Sequence, residues 1–134
     1  MLPEALLKTI YLGDRACKAI HIEGFAQQVS VQVDEISRIR SSSGLWEYYN
    51  EENIIDGFLV FTGVKEISFS PSGPVPNDYI SEIKIENVDE GYYRFQLSIA
   101  SVGSDAQSDE VLVNIVSKGF HLTDPLRPGL VIDK

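Results

Sequence analysis

Apolar and polar residues alternate at period two along most of this chain, the mark of β-strands that bury one face. Val29, Val31 and Val33 alternate with Ser30 and Gln32, and Tyr93, Phe95, Leu97 and Ile99 alternate with Arg94, Gln96 and Ser98. One side of each such strand packs inward and the other meets solvent. The pattern predicts strands over residues 18–23, 28–33, 58–62, 65–70, 80–87, 92–101, 111–117 and 120–123. Phe58-Leu-Val-Phe61 is apolar on both faces and reads as a strand covered on both sides. After Val33 the period breaks, because Ile36 and Ile39 follow at a spacing of three; a β-bulge or a short irregular stretch accounts for that. Residues 2–10 fit either a helical turn or a first strand.

Turn signals separate these strands: Glu23-Gly24, Ser41 to Gly44, Asp56-Gly57, Thr62-Gly63, Pro71 to Asn77, Glu90-Gly91, Gly103 to Ser108 and Lys118-Gly119. Their spacing predicts an all-β fold, or a β-dominated one with a short N-terminal helical turn, arranged as a mostly antiparallel sandwich or partly open barrel. Pro71, Pro74 and Pro76 make one connection extended and stiff. Residues 124–129 are nonrepetitive, and Leu130, Val131 and Ile132 follow as a short docking tail. With 134 residues, 43% of them apolar, and no internal repeat or linker, the chain reads as one domain over residues 1–134 with a single core.

Cys17 is the only cysteine, so no intrachain disulfide forms, and a small buried thiol is expected. The opening Met-Leu-Pro-Glu-Ala-Leu-Leu-Lys lacks the basic start and sustained apolar run of a secretory signal. No stretch approaches the roughly 20 apolar residues that span a bilayer. A cytoplasmic protein that does not engage a membrane is expected.

The formal charge is −9, and it is unevenly placed. Residues 1–40 balance five basic groups (Lys8, Arg15, Lys18, Arg38, Arg40) against five acidic ones (Glu4, Asp14, Glu23, Asp34, Glu35), so the whole excess lies after Arg40. Residues 41–64 contain no basic group, while Glu47, Glu51, Glu52 and Asp56 surround Trp46, Tyr48 and Tyr49. Such a surface repels nucleic-acid phosphate and anionic lipid and attracts a basic partner. Trp and Tyr recur at binding hot spots, which makes these seven residues a candidate partner-binding site. Trp46 and Tyr48 fit equally well as inward-facing core positions of a strand.

Catalytic signatures are missing. No Gly-x-Ser-x-Gly elbow and no phosphate-binding glycine loop occurs. His21 and Cys17, four residues apart on one face of a predicted strand, stand roughly 13 Å from each other and do not form a dyad. Three Cys and His residues are too few for a structural zinc site, and neither the acids of residues 47–56 nor Asp105, Asp109 and Glu110 have the spacing of a calcium loop. Paired carboxylates of a glycosidase have no supporting pattern either. Arg38, Arg40 and Ser41 to Ser43 form one locally basic, hydroxyl-rich patch, read as an anion contact or as a polar strand end. No catalytic residue, metal or cofactor is expected.

The segments Leu12-Gly-Asp-Arg-Ala-Cys-Lys-Ala-Ile-His-Ile-Glu-Gly24, Ile36-Ser-Arg-Ile-Arg-Ser-Ser-Ser-Gly44, Asp56-Gly-Phe-Leu-Val-Phe-Thr-Gly63 and Pro71-Ser-Gly-Pro-Val-Pro-Asn-Asp78 resemble a small bacterial family of unknown function, over most of the chain. The resemblance implies a β-rich cytoplasmic protein and carries no activity across. In layout, a short N-terminal segment and paired strands before Gly57-Phe-Leu-Val-Phe-Thr-Gly-Val64 are similar to immunity proteins of bacterial toxin systems. The expectation is a non-enzymatic binding protein, an immunity-type inhibitor of a basic toxin. The alternative is a small-ligand-binding barrel or sandwich whose pocket is lined by Phe58, Phe61, Phe69, Tyr93 and Phe95.

Overall fold

The computed structural model describes residues 1–39, 53–103 and 108–134. A short helix, α1 (Pro3–Leu7), opens the chain, with proline in its first turn, where a missing N–H costs nothing. Twelve strands follow among the described residues: β1 (Ile10–Tyr11), β2 (Cys17–Glu23), β3 (Gln28–Val33), β4 (Glu35–Arg38), β5 (Asn53–Ile55), β6 (Phe58–Thr62), β7 (Glu66–Ser70), β8 (Ile80–Asp89), β9 (Tyr92–Val102), β10 (Ser108–Ser117), β11 (Gly119–Thr123) and β12 (Val131–Ile132).

They form three antiparallel sheets, ordered β12-β11-β6-β3-β2, β7-β10-β9-β8 and β1-β4-β5. The five-stranded and four-stranded sheets pack face to face as a sandwich, and the chain crosses between them at Ser117 to Gly119. All eight strands expected from the alternation are present, and residues 2–10 hold both the helix and the start of β1. The last apolar residues dock as a strand, with Leu122 opposite Ile132.

Alternation decides which side chains make the core. On β3, Val29, Val31 and Val33 point inward, and across the ladders Val29 faces Phe61 and Val31 faces Leu59. On the other layer Phe95, Leu97 and Ile99 of β9 stand beside Ile115, Val113 and Val111 of β10, all fully buried. The layers meet through three rings: Phe61 and Phe95 edge to face at 4.9 Å between centroids, and Phe120 at 5.2 Å from each of them. Each side chain of this size contributes about 1.5–3 kcal/mol when withdrawn from water. β6 lies at the centre of its sheet; Val60, on its outward side, is only 4% exposed, while Phe58 and Thr62 on that side are half-buried, so the outer face is covered at its middle and not along its length.

Of the two expected causes of the break after Val33, a bulge and a short irregular stretch, the structure has the second, a single non-strand residue at Asp34 between β3 and β4. The register that pairs Gln32 with Phe58 continues as Glu35 with Ile55, with no residue inserted in either strand. What changes is the face. Odd-numbered residues point into the core on β3 and β6, whereas Ile36 and Arg38 on β4 and Ile54 on β5 are the buried ones. Both strands turn over together at Asp34 and at Asp56, whose backbone takes a left-handed φ of 55°. Main-chain bonds hold the turnover: Val33 N–H donates to the Gly57 carbonyl and Asp56 N–H to that of Asp34, each at 2.9 Å. One carboxylate oxygen of Asp34 accepts the N–H groups of Ala16, at 3.0 Å, and of Glu35, at 2.9 Å. Residues 28–38 and 53–62 are thus the arms of one long hairpin that feeds two sheets.

Candidate functional site

Asp56 is the one member of the predicted partner-binding set within the described residues; Trp46, Glu47, Tyr48, Tyr49, Glu51 and Glu52 lie outside them. Asp56 occupies the corner where the hairpin turns over. Gly57 follows it because a Cβ there would come within 2.7 Å of Ile54 Cγ2 and 2.8 Å of Ile36 Cδ1. The Asp56 carboxylate is already engaged, taking the Lys18 ammonium at 2.6 Å, while its carbonyl accepts the Gln32 side-chain amide at 3.2 Å. Both members of the ion pair are close to half exposed, so the bond orients Asp56 more than it stabilises the fold. Ile55, its neighbour, is 51% exposed, an apolar surface beside a carboxylate.

Beyond the corner, β4 and β5 run side by side to Ser37 and Asn53. Arg15 braces the outward side of this extension, pairing with Glu35 at 2.9 Å and donating to Ser37 Oγ at 2.9 Å. Arg38 braces the inward side. The residue is 2% exposed, and its guanidinium donates to Thr9 Oγ1 at 3.2 Å and to the Lys134 carbonyl at 2.9 Å, tying β4 to the last residue, Lys134. That makes Arg38 a structural anchor on a buried face; Arg40 and Ser41 to Ser43, its companions in the basic patch, lie outside the described residues.

On the outer face of the five-stranded sheet His21, Ser30, Val60 and His121 form one row, with Ala19, Gln32, Phe58 and Thr123 in the next. The two histidines stand three strands apart, about 14 Å at the usual strand spacing. They do not share a proton or a ligand. His21 packs against Phe58, with ring centroids 6.0 Å apart, and burial lowers the pKa of His121, opposed in part by the Asp133 carboxylate.

Cys17 and His21 were expected on one face of a strand, and the structure corrects this. Cys17 pairs with Val33 and Ala19 with Gln32, leaving Lys18 as an extra residue in the ladder. That bulge moves Cys17 to the core side while His21 stays outside. Burial pushes the thiol up to about 11, so it is protonated at neutral pH and a poor nucleophile. Among the described residues no group of three or more His, Cys, Asp or Glu side chains is arranged to hold a metal ion. No described helix is long and apolar enough to cross a membrane.

The five aromatics named for an internal pocket do not share one space. Phe61 and Phe95 fill the core, Phe69 and Tyr93 pack at its margin, and Phe58 lies on the outer face beside His21. Hollows of about 290 Å³ and 260 Å³ lie elsewhere, the first at Arg38, Arg127 and residues 130–134, the second between Leu7 to Gly13 and Ile80 to Ile83.

Fold and corner together define an all-β antiparallel sandwich whose central hairpin carries an acidic and aromatic connection. The chain belongs to a family of unknown function, DUF6258, which matches it over residues 1–134. Neither the curated proteins nor the solved structures provide a match.

Proposed function

We propose that this chain is a non-enzymatic, cytoplasmic binding protein that holds a basic protein partner, in the manner of an immunity-type inhibitor of a bacterial toxin. The observation that carries the reading is the charge distribution: the net −9 arises wholly after Arg40, and its densest aromatic stretch connects two adjacent strands of a braced hairpin. A rigid base lowers the entropy lost when a connecting segment meets a partner. In this reading Glu47, Glu51, Glu52 and Asp56 steer the partner inward, Trp46, Tyr48 and Tyr49 anchor it, and exposed Ile55 adds apolar contact beside Asp56.

The test begins with capture of partners by the tagged chain at low and raised salt, followed by association kinetics with the retained protein. Replacing the four acids by serine is expected to slow association at least tenfold at low salt and to flatten its salt dependence. Unchanged kinetics would overturn the assignment of the surface.

A further inference from the structure

β8 is the longest strand at a sheet edge in this fold, and its outer edge has no neighbouring strand among the described residues beyond Ile80. Only its start is covered: Tyr79 bridges Ala16, and the Ile80 N–H donates to the Arg15 carbonyl at 2.9 Å. From there the N-terminal segment diverges. The ladder to β9 shifts by one residue between Ile80 and Glu82, then runs regularly from Glu82 opposite Ser98 to Asn87 opposite Tyr93. The alternation of an antiparallel pair, carried from Ile80 across that shift, turns the main-chain N–H and C=O groups of Ile83 and Ile85 to the open edge. An open edge of this length is a template for strand pairing, and proteins keep such edges from pairing unselectively with charged side chains, prolines, bulges or a covering loop. On this edge the charges alternate in sign, Glu82, Lys84 and Glu86 lying on its exposed side with Ile83 and Ile85 half-buried between them, so they select a partner of matching pattern.

That sequence is self-complementary in an antiparallel register. We propose that two copies of this chain associate through their β8 edges about a two-fold axis at Ile85, joining the two four-stranded sheets into one of eight strands. Ile85 then stands opposite Ile85 of the second copy, Lys84 opposite Glu86, and Glu86 opposite Lys84. Within one copy Glu86 already takes Arg94 at 2.7 Å, so the alternation of sign continues across the junction from Arg94 to Glu86 to Lys84 of the other copy. A two-fold at Ile83 also alternates the charges, placing Glu82 opposite Lys84, but it brings Glu86 against Ile80, where Arg15 occupies the edge. The axis at Ile85 leaves residues 81–89 of both copies clear of that obstruction. A closed two-fold pairing uses up both edges, so it ends at the dimer.

The test is the mass of the full chain by sedimentation equilibrium over roughly 10 µM to 1 mM, the range in which a small edge interface associates. The weight-average mass is expected to climb from 14.9 kDa toward twice that value, with slower amide exchange at Ile83 and Ile85 as concentration rises. Lys84→Glu sets like charges opposite each other twice and is expected to raise the dissociation constant at least tenfold. The exchanged pair Lys84→Glu with Glu86→Lys restores opposite charges about Ile85 but sets Glu82 against a glutamate about Ile83, so recovery of the dimer selects the register. Lys84 and Glu86 are well exposed, with 65% and 62% of their side chains accessible, so the variants fold and circular dichroism verifies it. A wild-type chain that stays at 14.9 kDa throughout, a Lys84→Glu variant that dimerises unchanged, or a double variant that stays monomeric would each overturn the proposal.

Discussion

The N–H of Asp56 donates to the carbonyl of Asp34 across 2.9 Å at the point where two paired strands exchange their buried and exposed faces. Below this rung the hairpin belongs to the five-stranded sheet, and above it to the three-stranded sheet. Because both strands turn over at the same rung, the pairing register survives and the hydrophobic phase does not. Glu35 to Arg38 and Asn53 to Ile55 therefore bury the opposite parity of residues from the strands that continue them into the sandwich.

The Asp34 side chain is expected to stabilise this turnover. It accepts the N–H groups of Ala16 and Glu35, and Asp34→Ala leaves both to water. The site is exposed, so the expected loss is about 1 kcal/mol, seen as a lower urea midpoint at unchanged slope. Asp34→Asn keeps one acceptor oxygen and is expected to recover part of the loss.

Phe95 stands within 5.2 Å of both Phe61 and Phe120 in the middle of the sandwich. Phe95→Ala is expected to cost about 3–5 kcal/mol, enough to bring a domain of ordinary stability near its threshold. Phe25 is the matched control, being fully exposed at a hairpin turn, and Phe25→Ala is expected to change stability by less than about 0.5 kcal/mol. Thermal unfolding of the two variants separates the cases.

Cys17 predicts an alkaline dependence. Its folded pKa of about 11 lies above the ordinary value of 9.0, so between those values the unfolded chain has released a proton that the folded chain retains. Stability is then fully present below about pH 9 and declines as pH rises toward 11, by on the order of 2 kcal/mol from this group. Other groups titrate in the same window, so the measured quantity is the difference between wild type and Cys17→Ala, whose pH slope is expected to be shallower. A thiol reagent at pH 8 is expected to label the native protein far more slowly than the urea-unfolded chain.

His121 has the opposite sign. Its folded pKa is lowered below 6.5 by burial, so the neutral form is favoured in the folded state. The stability this preference contributes is present above pH 6.5 and is lost as pH falls through the folded pKa. His121→Gln is expected to flatten the fall in urea midpoint between neutral pH and pH 5, and NMR titration of the His121 ring is expected to give a midpoint below 6.5.

Much of the sandwich is legible along the chain because a strand with one buried face repeats every two residues. That is why the strands holding Val29 to Val33 and Tyr93 to Ile99 appear where the alternation places them. β1, β4 and β5 are only two to four residues long, too short to show a period, and their existence rests on partners distant in sequence: Ile10 opposite Arg38, and Ile36 opposite Ile54.

The functional surface divides in the same way. Charge and aromatic content single out residues 46–56 from composition, since charge is additive and needs no structure to be counted. Lys18 on Asp56, Arg15 on Glu35, and the Gln32 amide on the Asp56 carbonyl join residues 20 to 38 positions apart in the chain, and no local pattern marks them. The β8 edge was likewise invisible, because Glu82, Lys84 and Glu86 read as an ordinary solvated face until the sheet order leaves that strand outermost.

By itself the sequence determined that the chain is all-β, where its long strands run, which of their faces are apolar and where its excess negative charge lies, because these follow from local sterics, period and composition. Only the tertiary structure decided that the hairpin turns over at Asp34 and Asp56, that a bulge at Lys18 sends Cys17 inward and leaves His21 outside, and that β8 ends a sheet. Each of those depends on pairing between distant segments, where a shift of one residue exchanges the two faces of a strand.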